Sequence, residues 1–64
     1  MDPKEIFELI IKADEKLKYS NAGNAGTRAE QARALLEQAL AAAREAGNAG
    51  LVAQAETRLA DLDA

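Results

Sequence analysis

Apolar and polar positions alternate at helical spacing along the first third of the chain. At ~100° per residue, Ile6, Leu9, Ile10, Ala13 and Leu17 fall in one stripe, and Phe7 and Ile11 widen it on one side. In the N-terminal half the apolar arc spans roughly 200°, broader than the ~100° stripe a surface helix needs. Glu8–Lys12 and Asp14–Lys18 stand four apart in the order that supports a helix, each by a few tenths of a kcal/mol. Asp2-Pro3-Lys4-Glu5 supplies the start: Asp2 caps, Pro3 takes the first helical position where its missing N–H is harmless, and Glu5 closes a capping box. The pattern predicts a first helix from about Pro3 to Asn21 or Ala22, with Gly23 beyond its end.

A second periodic run follows. Ala32, Leu35, Leu36, Ala39, Leu40, Ala42, Ala43 and Ala46 share one face, and Arg33, Glu37, Arg44 and Glu45 lie opposite. Thr27 with Glu30 reads as its capping box, and Ala46-Gly47 as its stop, because Gly readily takes the left-handed conformation a helix end needs. A third run places Leu51, Val52, Ala55, Leu59 and Leu62 on a narrower stripe, with Asn48 as its cap. The helices predicted are therefore about 3–21, 27–46 and 49–62. The same pentapeptide, Ala-Gly-Asn-Ala-Gly, stands at 22–26 and again at 46–50. Connections this short force neighbouring helices to be antiparallel, so the fold expected is all-α, an up-down-up three-helix bundle. Large apolar residues are concentrated in the first helix while the second presents mostly Ala, so the first helix is expected to fill an Ala-lined groove that the other two cannot fill themselves.

Composition narrows the rest. Sixty-four residues make one domain near the lower size limit for independent folding. There is no Cys and no His, which removes disulfides, thiolate chemistry, the commonest general base and the commonest metal ligand. A net charge of −3 opposes nucleic acid and anionic membranes as partners. Met1-Asp2-Pro3 does not open a secretory leader, and the run from Ile6 to Ile11 is too short to span a bilayer, so a soluble protein is expected.

Residue usage changes abruptly at the first pentapeptide. All four Lys lie at or before Lys18 and all four Arg at or after Arg28; all three Ile precede it, and of the sixteen Ala only Ala13 does. Such a break, with one linker solution used twice, points to a chain assembled from two sources or written under two sets of rules, joined at 22–26.

From Ala29 to Leu62 the chain resembles tetratricopeptide-type helical hairpins: Ala32, Leu36 and Ala39-Leu40 are spaced like the second helix of such a repeat, and Ala55, Leu59-Ala60 and Leu62 like the first helix of the next. The resemblance implies a close-packed hairpin. Lys16, Tyr19 and Ser20 stand where a preceding repeat helix would carry its large aromatic, its Leu and its Gly, and the peptide groove of that family needs several stacked repeats. The bundle also looks like the microtubule-interacting-and-trafficking type of adaptor domain.

Candidate chemistry is sparse. Glu56, Asp61 and Asp63 lack the Gly turn and ligand spacing of a calcium loop. Glu30 and Glu37 lie seven apart on a polar face without a burying pocket. Ser20, Thr27 and Thr57 have no His to activate them, the glycines follow no strand and precede no P-loop Lys, and Tyr19 alone is a helix-end contact rather than a stacking platform. The expectation is an engineered or fragment-assembled helical scaffold with no catalytic, cofactor-binding or metal site and no small-molecule ligand. The alternative is a small helical interaction module or a self-associating element. Phe7 and Ile11, on the flank of the apolar stripe, are the candidate interaction patch, through which a weak homodimer is expected.

Overall fold

The computed structural model, which covers residues 1–64, contains three helices: α1 (Pro3–Lys18), α2 (Ala25–Ala46) and α3 (Ala49–Asp63). They form an all-α, up-down-up three-helix bundle without strands. The opening box of α1 forms as its residues dictate: the Asp2 side chain accepts from the Glu5 N–H at 2.8 Å, and the Glu5 carboxylate accepts from the Asp2 N–H at 3.3 Å.

The end of α1 comes three residues sooner than periodicity suggests. Tyr19 is its C-cap, and the Ser20 hydroxyl donates to the Leu17 carbonyl at 2.9 Å, closing the last turn. Asn21 then takes the chain elsewhere. Its Oδ1 accepts from the N–H of Gly23 at 2.8 Å and of Asn24 at 3.2 Å, while Asn24 Oδ1 accepts from the Asn21 N–H at 2.7 Å. Side chains of this kind compete with the helix for backbone donors, which is why the helix stops before them. The same knot corrects the start of α2. Thr27 is not its cap but its third residue, exposed, with no capping bond to Glu30; Asn24 stands at the cap, and its carbonyl accepts the first helical bond from the Arg28 N–H at 2.9 Å. The Asn24 side chain, already bound to Asn21, caps nothing in α2.

The second pentapeptide joins α2 to α3 in the tightest way available. Gly47 lies at φ +68°, and the N–H groups of Gly47 and Asn48 donate to the carbonyls of Arg44 and Ala43 at 3.1 and 2.9 Å, a Schellman closure. Asn48 also begins α3, its side chain accepting from the Leu51 N–H at 3.1 Å. In both pentapeptides Asn holds the cap and Ala-Gly are the first two helical residues, so one register serves twice although the first Gly behaves differently.

Nine side chains are buried: Ile6, Ile10 and Ala13 from α1, Ala32, Leu36, Ala39 and Ala43 from α2, Leu51 and Ala55 from α3. Five of the nine are Ala, so the helices approach closely, and Ile6, Ile10 and Leu36 are the large groups that fill the seam. Leu9, Leu17, Leu35, Leu40, Ala42, Val52, Leu59 and Leu62 flank this core half-buried, whereas Ala46, placed on the buried face by periodicity, is exposed at the helix end. α2 lies between the other two and packs against both; α1 and α3 meet along a narrow line. The Cα envelope accordingly measures 37 × 21 × 13 Å, broad in the direction that sets α1 and α3 on either side of α2.

Candidate interaction surface

The candidate patch lies on the outward flank of α1, in a depression lined by α1 residues alone. Phe7 is 43% exposed and Ile11 half-buried, and together with Lys4, Glu8, Lys12 and Glu15 they line one shallow depression made from α1 alone. Helix length does not explain why this side is open, since α3, at 15 residues, nearly matches the 16 of α1. Rotation does. Ile6, Ile10 and Ala13 are wholly buried, so α1 centres its inner face on them and leaves Phe7 and Ile11 on its flank, roughly 90–130° round the helix from that centre.

The charges on this face are unengaged. The three ion pairs of the molecule are Arg58–Asp14, Arg44–Glu56 and Arg33–Asp63, and none includes Lys4, Glu8, Lys12 or Glu15. A second depression, between α1 and α2, gathers Lys12, Lys16, Tyr19 and Arg28 with Glu15 and Leu35; Tyr19 is 64% exposed there, with the Lys18 ammonium 5.4 Å from the centre of its ring.

The other residues singled out by sequence do not converge. Of Glu56, Asp61 and Asp63, Glu56 is held by Arg44 at 3.4 Å and Asp63 by Arg33; no group of three or more Asp or Glu is placed to hold a metal ion. The Arg33 guanidinium, through its hydrogen bond and its charge, lowers the Asp63 pKa below the usual carboxylate range, and Asp63 raises that of Arg33. Glu30, Glu37, Thr27 and Thr57 are exposed, and the Ser20 hydroxyl serves the end of α1. No polar side chain is buried, and no helix is long and apolar enough to cross a membrane.

The chain matches no family model, no curated protein and no solved structure.

The ion pairs escaped sequence reading. Asp14 and Arg58 are 44 residues apart, and no local spacing signals that α1 and α3 bring them together. The antiparallel order of α2 and α3 does place Arg33 opposite the end of α3 and Arg44 opposite its second turn, so those two pairs follow once the hairpin is known.

Proposed function

We propose that this chain is an engineered or fragment-assembled helical scaffold, whose role is to fold and which has no catalytic activity of its own. The observation that carries the reading is the doubled pentapeptide, used in one register, with Asn at the cap and Ala-Gly opening the next helix, its first copy standing where Lys and Ile give way to Arg and Ala. Repeated use of one linker solution is how idealised backbones are assembled. A core of nine apolar side chains without a buried polar group supports the same reading, since such a core serves packing alone.

A scaffold of this kind is modular, and modularity is testable. In a chimera, residues 3–18 are replaced by an unrelated helix-forming sequence that keeps only Glu5, Ile6, Leu9, Ile10, Ala13 and Leu17. Cooperative thermal unfolding with parental helicity is expected. A chimera that unfolds gradually, or is unfolded at room temperature, would sink the proposal, because the first helix would then be specified by more than its buried stripe.

A second reading, a small self-associating helical element, is supported by the exposure of Phe7 in a depression lined by α1 residues alone.

A further inference from the structure

We propose that the outer face of α1 is the docking site for a second copy of this chain, with the two α1 helices antiparallel about a two-fold axis at the turn Leu9–Ile10. The proposal rests on the second reading above and adds to it the geometry that would bring the copies together.

The order of charges carries the inference. Along the face run Lys4, Glu8, Lys12 and Glu15, alternating in sign. Read backwards, the same face runs acid, base, acid, base. Two copies laid antiparallel therefore set Lys4 against Glu15 and Glu8 against Lys12 of the other copy, each contact occurring twice by symmetry. Two parallel copies in register would set like charges together, which is repulsive.

The lateral arrangement agrees. At ~100° per residue, Lys4 and Glu15 lie along the midline of the outer face, Phe7 and Ile11 to one side and Glu8 and Lys12 to the other. A two-fold axis lying across the helices keeps each side facing its own kind. Phe7 then meets Ile11 of the second copy on the apolar side, and Glu8 meets Lys12 on the polar side. All three kinds of pair are centred on the same turn, so one placement satisfies them together.

Each partner also gains something it lacks alone. Lys4, Glu8, Lys12 and Glu15 have no ion-pair partner within the chain, and Phe7 leaves 43% of its surface in water. The area sets the strength. A standard interface covers about 800 Å² per partner, roughly a fifth of the 4072 Å² surface of this chain. One face of a 16-residue helix offers less. Association is therefore weak, with dissociation constants between high micromolar and millimolar, and it is sensitive to salt because the pairing charges are solvent-exposed.

Sedimentation equilibrium decides it with the full chain and two charge variants. Acidic-face chains carry Lys4→Glu and Lys12→Glu; basic-face chains carry Glu8→Lys and Glu15→Lys. The parent is expected to approach twice its 6.8 kDa mass as concentration rises to millimolar, and to associate several-fold less in 1 M salt. Each variant alone is expected to remain monomeric, and an equimolar mixture to recover association. Circular dichroism on each variant monitors the fold, and all four positions are exposed. If either variant loses helicity, the single exchanges Lys12→Glu and Glu8→Lys, which face each other in the proposed register, replace the doubles. A parent that stays monomeric at millimolar concentration overturns the proposal. So does a mixture that associates no better than its components, which rejects the antiparallel register even if the parent dimerises. Neither result touches the modularity of the scaffold.

Discussion

Arg58 on α3 grips Asp14 on α1 through its Nε, 2.9 and 3.1 Å from the two carboxylate oxygens, on the side of the bundle where these helices otherwise barely meet. Its Nη1 also donates to the Gln54 carbonyl at 3.3 Å, one turn back on its own helix, which fixes the direction of the guanidinium. The Arg58 side chain is 29% exposed and that of Asp14 42%, so water screens the pair only in part. A double-mutant cycle with Asp14→Ala and Arg58→Ala should give a coupling of about 0.5–1 kcal/mol, at the upper end for exposed pairs. A coupling indistinguishable from zero in urea melts would mean that α3 is held to α1 by its apolar contacts alone.

The two linkers should respond differently to the same change. Gly47 sits at φ +68°, where an L side chain is strained although nothing lies within 4 Å of the added carbon. Gly47→Ala should therefore lower stability by about 1 kcal/mol. Gly26, the second residue of α2, has open space around it and an ordinary φ, so Gly26→Ala should raise stability by about 0.4–1 kcal/mol through the unfolded chain. Thermal midpoints moving the same way in both variants would contradict the assigned conformations.

Ile10 is wholly buried in a core whose other members are mostly Ala. Ile10→Ala should cost about 2–5 kcal/mol, a large part of the stability of so small a domain. Gln38→Ala, at an exposed position of α2, should change stability by less than about 0.5 kcal/mol. Comparable denaturation midpoints for the two variants would mean that the buried stripe of α1 is misassigned.

Asp63 gives a pH-dependent contribution whose sign follows from its partner. Arg33 holds its pKa below the usual ~3.9, so the contact stabilises the fold above that value and is lost as pH falls through the lower, folded-state value. The difference in melting temperature between the parent and Asp63→Asn should be present at pH 7 and shrink toward zero on approach to pH 2. Both groups are well exposed, so 1 M salt should shrink it as well. A difference that grows on acidification would contradict the pairing.

Local chemistry settled much of this fold before any tertiary contact. The Asp2–Glu5 box, the Gly47 stop and the Asn48 cap are all decided within five residues of chain, and each appears where its sequence places it. Periodicity likewise identified Ile6, Ile10, Ala13, Leu36 and Ala39 as facing inward, because an α-helix brings such spacings to one side whatever lies opposite. The later cap residue, Thr27, is passed over for an equally local cause. Two capping residues competed three positions apart, and the Asn21–Asn24 knot, which depends on two side chains folding back together, decided for the earlier one.

Rotation of the helices about their axes was beyond the sequence. An apolar arc of roughly 200° on α1 is wider than two neighbours cover, and pattern alone does not say which edge is left in water. Packing made that choice: the close approach that α2 permits through Ala32, Ala39 and Ala43 draws in the β-branched Ile6 and Ile10 and turns Phe7 outward. The pairing of Asp14 with Arg58 follows from the same rotation. Secondary structure is fixed by neighbours along the chain, but which flank stays exposed, and which distant charges meet, depends on how three surfaces fit at once.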